Sequence, residues 1–143
     1  MITLSTRSQK ETLASAKSFA RLMKKGGILG LSGNLGSGKT TFTKGLALGL
    51  GIKKIISSPT FVVYSRYNIP RSRKMQLYHF DLYRINNIAE LVELGFQEII
   101  NNPKNITVIE WAEKIGKKLP KRTIRIKFEH GKRQQERIIN VYL

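Results

Sequence analysis

The spacing of apolar positions changes several times along the chain, and each change predicts a new element of secondary structure. From Ser8 to Lys25 apolar residues recur at helical intervals behind the capping-box spacing of Ser8 and Glu11, so the first helix is expected there. Ile28 to Ser32 is a short apolar run bounded by glycines, which is typical of a buried parallel strand. Thr40 to Leu50 returns to the helical spacing. This succession predicts helices packed on a parallel sheet.

The second half of the chain favours strands and hairpins. Phe61 to Tyr67 and Met75 to Leu82 are two strand-like runs joined by a basic turn, which predicts an antiparallel hairpin. After it we expect two helical segments, at Asn87 to Leu94 and Phe96 to Ile100, and a buried strand at Ile106 to Ile109. The last expected element is a hairpin formed by Thr123 to His130 and Glu136 to Leu143. The predicted fold class is therefore α/β, with one domain over residues 1–143. Its sheet is expected to be central and mainly parallel, with antiparallel hairpins and flanking helices.

Length and composition restrict the class of protein. A chain of 143 residues suits one domain that buries about two-thirds of its unfolded surface. The absence of cysteine excludes a disulfide framework and a thiolate metal site. No apolar run approaches the length of a membrane span, and the first residues lack the apolar segment of a signal peptide. The expected location is the cytoplasm, without a membrane partner.

The net charge of +17 is the strongest compositional bias. Such a charge attracts polyanions such as tRNA through the release of condensed counterions. The lysines and arginines are nevertheless spread along the chain, and they are densest at Arg66 to Lys74 and Lys114 to Arg133. A well-solvated surface explains the same composition, so the sequence leaves direct contact with tRNA open.

Candidate chemistry begins directly after the first buried strand. Residues 33–41 read Gly-Asn-Leu-Gly-Ser-Gly-Lys-Thr-Thr, which is a complete G-x-x-x-x-G-K-[ST] phosphate loop between a predicted strand and a predicted helix. Its glycines permit positive φ angles, so backbone N–H groups can surround a polyphosphate at the start of the helix. We expect Lys39 to reach the β- and γ-phosphates and the Thr40 hydroxyl to bind Mg²⁺. The nucleotide-binding residues expected from this motif are Gly33, Gly36, Ser37, Gly38, Lys39, Thr40 and Thr41.

Two carboxylates are candidates for the same site. Glu110 follows the strand at 106–109 and should emerge at the edge of the sheet where the phosphate loop lies, so it is expected to bind the metal ion with Thr40 or to order its water. The alternative is a surface glutamate at a strand end. Asp81 is the only aspartate of the chain, and it follows a predicted strand. It could orient the water that attacks the γ-phosphate, or cap the following helix.

Three further features are open to more than one interpretation. Ser58, Pro59 and Thr60 occupy the position where nucleotide switches sense the γ-phosphate, although an ordinary Ser-Pro turn fits the same residues. Trp111 could stack on a base or line a partner surface, but it is expected to pack in the interior at the strand end. His79 is expected to satisfy a hydrogen bond and not to bind a metal ion.

Taken together, the motifs resemble those of the TsaE (YjeE) family of small ATPases from the biosynthesis of threonylcarbamoyladenosine in tRNA. The segments that carry the resemblance, besides the phosphate loop, are Ser58-Pro-Thr-Phe61, Tyr78-His-Phe-Asp-Leu-Tyr-Arg84, Glu90-Leu-Val-Glu-Leu-Gly95 and Val108-Ile-Glu-Trp111. The resemblance implies a P-loop NTPase-like fold, ATP and Mg²⁺ as ligands, slow ATP hydrolysis and a role beside TsaB- and TsaD-like partners. It also implies that Asp81 and Lys39 are catalytic and that Thr40 and Glu110 hold the metal ion. A basic residue after Gly131 should contact ATP, and although Lys132 also fits, Arg133 is the candidate.

Other functions fit parts of the sequence. A small P-loop kinase would need an acceptor pocket and an arginine-bearing lid, for which the predicted hairpins leave little room. A GTP switch is disfavoured because the Asn-Lys-x-Asp guanine signature is absent. A nucleotide-dependent RNA-binding module without turnover is the alternative that is not an enzyme.

Overall fold

The computed structural model describes residues 1–59 and 62–143, which form one mixed sheet with helices on both faces. The strands are β1 (Ile2–Thr6), β2 (Gly27–Ser32), β3 (Tyr64–Asn68), β4 (Gln76–Asp81), β5 (Ile106–Glu110), β6 (Ile124–His130) and β7 (Arg137–Tyr142). The helices are α1 (Gln9–Phe19), α2 (Lys39–Gly49), α3 (Ala89–Glu93) and α4 (Phe96–Asn101), and single 3₁₀ turns cover Ala112–Lys114 and Gly116–Lys118.

The order of strands across the sheet is β1-β7-β6-β2-β5-β4-β3. The four central strands β6, β2, β5 and β4 are mutually parallel, whereas β3, β7 and β1 pair antiparallel at the two sides. Parallel strands end at the same edge of a sheet, so whatever follows β2, β4 and β5 meets at one edge. We call this the carboxyl edge and the opposite one the amino edge. The predicted α/β fold class is confirmed.

Two apolar cores hold the helices on the sheet, one on each face. Helices α1 and α2 pack on the face that presents Leu29 and Leu31, while α3, α4 and the 3₁₀ turns cover the face that presents Ile28 and Ile109. Burial of both faces is the reason that β2 and β5 are almost continuously apolar. Among the described residues, no helix has the length and apolar character needed to cross a membrane.

The observed elements confirm the two predicted hairpins and correct two other expectations. The first helix ends at Phe19 and not near Lys25, because residues 20–26 tighten into successive i→i+3 hydrogen bonds that turn the chain toward β2. Ser8 does cap this helix, since its hydroxyl accepts a hydrogen bond from the Glu11 N–H. Strand β1 was not expected from the sequence, and it forms the edge of the sheet beside β7.

Candidate nucleotide-binding site

The phosphate loop lies at the carboxyl edge, between the end of β2 and the first turn of α2. Gly36 and Gly38 adopt φ angles of 73° and 107°, in the region that side chains strongly disfavour. Gly38 is also the N-terminal cap of α2 and has no side chain to satisfy the free N–H groups of the first turn. These N–H groups, together with the positive end of the helix dipole, make the loop a binding site for an anion.

Lys39 places its ammonium group inside the loop. Its Nζ donates to the carbonyl oxygens of Gly33 and Asn34 at 2.5 and 2.9 Å, and it lies 4.0 Å from the ring centroid of Trp111. Burial lowers the pKa of Lys39, against the charges of Glu110, Glu113 and Asp81, which raise it. The cation is therefore held among carbonyl groups and carboxylates at the position from which it can contact a phosphate.

Thr40 is the meeting point of three chain segments. Its Oγ1 lies 3.0 and 3.1 Å from the two carboxylate oxygens of Glu110 and 3.1 Å from Ser58 Oγ. Glu110 is in turn fixed by His79, whose Nε2 lies 2.7 Å from Glu110 Oε1. Both partners of this pair are almost completely buried. The histidine thus orients the carboxylate that faces the threonine hydroxyl, which agrees with the expectation that His79 satisfies a hydrogen bond.

Asp81 lies beside Glu110 because of strand register. The two residues are direct neighbours at the ends of the parallel strands β4 and β5. Asp81 Oδ1 accepts a hydrogen bond from the Tyr83 N–H at 3.0 Å, so its side chain closes a local turn and does not cap α3. Burial raises the pKa of Asp81, the Tyr83 N–H lowers it, and the Glu110 charge raises it again. A half-buried carboxylate in this position can accept a hydrogen bond from water.

A cavity of about 610 Å³ joins these groups. The phosphate loop, the segment at 58–59, the ends of β4 and β5, and the stretch before β7 all contribute to its wall. The predicted site residues that line it are Gly36, Ser37, Gly38, Lys39, Thr40, Thr41, Ser58, Pro59, Asp81 and Glu110. Gly33 lies just behind this wall, where its carbonyl oxygen binds Lys39. Thr60 is outside the described residues.

Arg133 is not brought to the cavity. It is exposed in the loop before β7, where its N–H donates to Glu136 Oε2. The basic residue that reaches the phosphate loop is Arg137, whose Nη2 donates to the Gly36 carbonyl oxygen at 3.0 Å. The alternation within β7 indicated only a strand at this point. No sequence signal that we recognised linked this arginine to a loop one hundred residues earlier.

Trp111 also differs from expectation. Its ring packs on the second core on one side only, and on the other side it lines the cavity over Lys39 and beside Tyr83. Its φ angle is 61°, and it is the only residue other than glycine with a positive φ in the part of the chain that the structure describes. Such strain at a cavity wall is a frequent mark of a functional turn.

The oxygen donors around Thr40 fit a magnesium ion. Within residues 1–59 and 62–143 no group of three or more histidine, cysteine, aspartate or glutamate side chains forms a metal cage. Mg²⁺ does not require one, since it commonly takes one or two protein oxygens and completes its shell with water and phosphate. Thr40 Oγ1 and the Glu110 carboxylate supply such a pair.

A phosphate loop between a central parallel strand and a helix, with carboxylates at the ends of the neighbouring strands, defines the class as a P-loop NTPase fold, which implies nucleotide binding. The family model described as Threonylcarbamoyl adenosine biosynthesis protein TsaE matches residues 6–139. The chain therefore belongs to the TsaE family.

Individual relatives agree with this assignment. The chain is 43% identical over 117 residues to the tRNA threonylcarbamoyladenosine biosynthesis protein TsaE of Bacillus subtilis (strain 168), covering 82% of this chain and 70% of that protein. It is 38% identical over 121 residues to the protein of the same name from Treponema pallidum (strain Nichols), covering 85% and 86%. The crystal structure of Bacillus subtilis YdiB superposes with a TM-score of 0.75 at 34% identity, covering 98% of this chain and 83% of that one.

Proposed function

We propose that this chain is a Mg²⁺-dependent ATPase with slow turnover that acts with TsaB- and TsaD-like proteins in the threonylcarbamoyladenosine modification of tRNA. The observation that carries the proposal is the convergence of Lys39, Thr40, Glu110 and Asp81 on one cavity at the carboxyl edge. Membership of the TsaE family supports the pathway and the partners. Modification of tRNA is also consistent with the cytoplasmic location expected from the sequence.

Each residue has a distinct role in this proposal. The N–H groups of the loop and the Lys39 ammonium neutralise the phosphates and keep the terminal phosphate in one orientation. Thr40 and Glu110 would hold Mg²⁺, which would neutralise charge that develops on the phosphate oxygens. Asp81 orients the water that attacks the γ-phosphate. Ser58, which contacts Thr40, supports a role for the segment from Ser58 through Pro59 to Thr60 as a switch that responds to the γ-phosphate.

Binding and turnover of nucleotide test the proposal directly. We expect Lys39→Ala and Thr40→Ala to abolish detectable binding of Mg·ATP, because phosphate neutralisation and metal ligation are lost. The matched control is Lys44→Ala, which removes an exposed lysine from the same helix outside the cavity and should bind as the unmodified protein does. Circular dichroism checks that all three variants are folded. Equal binding by Lys39→Ala and the control would contradict the site.

The same preparation separates the alternative functions. Release of inorganic phosphate from ATP but not from GTP supports the ATPase, whereas transfer of phosphate to an acceptor without its release indicates a kinase. Binding of ATP with no turnover, with or without partners, indicates an RNA-binding module. Co-purification with TsaB and TsaD that depends on ATP or ADP supports the proposed partnership, and its absence with both nucleotides contradicts that part.

A further inference from the structure

Basic residues collect at the amino edge of the sheet, opposite the nucleotide site. The parallel strands β2, β4, β5 and β6 all begin there, and each is preceded by lysine or arginine. Helices α1 and α2 also end at this edge because they run back from the carboxyl edge. The exposed cations that the topology gathers in this way are Lys17, Arg21, Lys24, Lys25, Lys53, Lys54, Arg71, Arg73, Lys74, Lys104, Lys121 and Arg122. These twelve cations are nearly half of the 26 basic residues of the chain.

The acidic residues have the opposite distribution. Six of the nine lie at the carboxyl edge. They occupy the first turn of α1, the ends of β4, β5 and β6 or the residues just after those ends, and the residue just before β7. These residues are Glu11, Asp81, Glu110, Glu113, Glu129 and Glu136, and the remaining three acids lie in α3 and α4. The net charge of +17 is thus not spread evenly over the surface. It produces a strongly positive edge that is remote from the carboxylates of the nucleotide site.

A groove of about 700 Å³ opens within this basic edge. It lies between the ends of α1 and α2 and the turn that joins β3 to β4. Of the residues that the structure describes, four cations line it, namely Lys17, Arg21, Lys24 and Arg71, and no carboxylate does. Its floor is apolar, with Met23, Leu50, Ile69 and Met75, and Ser18 and Ser72 add hydroxyl groups. We call it the amino-edge groove.

Within residues 1–59 and 62–143, the cations of the groove have no anionic partner. Among the described residues, the carboxylates in close contact with a basic side chain are Glu110, beside His79, and Glu129, beside Lys127, and neither lies at the amino edge. Clustered cations without counter-charges repel one another, and they gain most from an external ligand that carries several negative charges. The groove therefore fits a polyanion better than a single carboxylate or phosphate.

We propose that the amino-edge groove binds the phosphate backbone of RNA. The choice of RNA over an acidic protein surface rests on the proposed role in tRNA modification and on the breadth of the basic edge. Five separate chain segments contribute cations to this edge, and two of them supply the cations that line the groove, so contacts can continue from the groove along an extended backbone, as expected for a nucleic acid. Hydroxyl groups such as those of Ser18 and Ser72 are also common donors to phosphate oxygens.

The position of the groove has a functional consequence. Because it lies at the opposite edge from the phosphate loop, RNA can bind there while the nucleotide site is occupied. RNA binding and ATP turnover are therefore separable properties, and loss of one does not imply loss of the other.

The test compares two triple variants of equal net charge. Lys17→Gln, Arg21→Gln and Arg71→Gln remove cations from the groove, whereas Lys44→Gln, Lys117→Gln and Lys118→Gln remove exposed cations that line neither cavity. Fluorescence anisotropy with a labelled tRNA transcript measures affinity over a series of salt concentrations. We expect the groove variant to bind about tenfold more weakly or worse, and its slope of log K against log salt to fall by about 2 to 3. The control variant should lose less than about 1 in slope.

Several results would overturn the proposal. Equal losses in both triple variants would show a diffuse charge effect without a groove site, and no tRNA binding by the unmodified protein at low salt would remove RNA as a ligand. Poly-L-glutamate that binds as tightly as tRNA, with the same sensitivity to the groove variant, would indicate an acidic protein partner instead. ATP turnover measured on the same samples is expected to be unchanged in the groove variant. If the unmodified protein hydrolyses no ATP, it is the ATPase proposal that fails, independently of the result for RNA.

Discussion

Asp81 and Glu110 are neighbouring carboxylates in one cavity, but the protein surrounds the two side chains differently. Glu110 is buried, and its oxygen atoms are occupied by His79 and Thr40. Asp81 is half-buried, and one of its oxygens is held by the Tyr83 N–H. The first arrangement suits a fixed metal ligand and the second suits a group that exchanges protons or hydrogen bonds with water. Different environments thus support different roles for two similar side chains.

Replacement of Asp81 by asparagine separates catalysis from binding and stability. We expect Asp81→Asn to lower the turnover number of the proposed ATPase reaction about 10²-fold with little change in the affinity for Mg·ATP, since the amide keeps the shape but orients water poorly. Steady-state phosphate release and a nucleotide titration measure the two effects. Unchanged hydrolysis would remove Asp81 from the mechanism.

The same variant has a predicted effect on stability that depends on pH. Burial raises the pKa of Asp81 in the folded state above its ordinary value, so ionisation is less favourable in the folded than in the unfolded chain. The free energy of unfolding therefore falls as the pH rises from that ordinary value through the raised one. Without nucleotide, Asp81→Asn should be at least as stable as the unmodified protein at pH 7, and the difference should vanish in acid. Lower stability of the variant at pH 7 would contradict this assignment.

At the scale of the elements, the turn after β5 is the part of the site that the backbone constrains most. Trp111 adopts φ 61° and ψ 38°, the left-handed conformation that disfavours every side chain with a Cβ atom. The turn places the indole ring over Lys39 and directs the first 3₁₀ turn back toward the phosphate loop, where Glu113 Oε1 accepts a hydrogen bond from the Gly33 N–H. The strained backbone of Trp111 is therefore the part of the turn that holds the indole ring against Lys39.

Two substitutions of Trp111 distinguish the strain from the ring contact. Both Trp111→Ala and Trp111→Gly remove the ring that lines the cavity and contacts Lys39. Because the lost contact is the same, ATP affinity should fall equally in the two variants. Glycine relieves the left-handed strain, so Trp111→Gly should be more stable than Trp111→Ala by up to about 1 kcal/mol, after allowance for its more flexible unfolded state. Urea denaturation of both variants measures this difference. An alanine variant as stable as the glycine variant would show that the positive φ angle stores no strain.

The elements also show which parts of the molecule the sequence could predict. The phosphate loop was predicted because its motif is contiguous and lies between a recognisable strand and helix. Strand β1 was not, because Ile2–Thr6 is short and half polar, and it is stabilised by pairing with β7 at the far end of the chain. The pair of His79 with Glu110 and the contact of Arg137 with Gly36 depend on strand register and chain topology. Local periodicity contains neither kind of information.

At the scale of the whole molecule, the distribution of charge follows from the topology of the sheet. Segments that enter parallel strands are basic, and acids follow the carboxyl ends of β4 and β5. The protein therefore has a nucleotide site in which carboxylates and cations are balanced and a separate edge where cations accumulate without partners. Such an edge destabilises the folded chain through repulsion, and that repulsion is released when a polyanion binds.

This repulsion predicts how stability responds to salt. With a net charge of +17 and one pair of a lysine with a carboxylate, Lys127 with Glu129, among residues 1–59 and 62–143, screening removes more repulsion than attraction. We expect the Tm of the nucleotide-free protein to rise by about 2 to 4 °C between low and moderate NaCl, which corresponds to about 1 kcal/mol. Differential scanning calorimetry in NaCl and in KCl measures the shift without sulfate or phosphate, which bind at the N-termini of helices such as α2.

The triple variant of the amino-edge groove tells where the repulsion arises. If clustered cations at that edge are the source, removing Lys17, Arg21 and Arg71 should raise the Tm at low salt and reduce its rise with salt, because the charges to be screened are no longer there. The control triple variant at Lys44, Lys117 and Lys118 has the same net charge and should keep most of the salt response. A Tm that falls as salt is added would mean that attraction between charges outweighs repulsion, and the unevenly charged edge could then not be the reason that a polyanion binds.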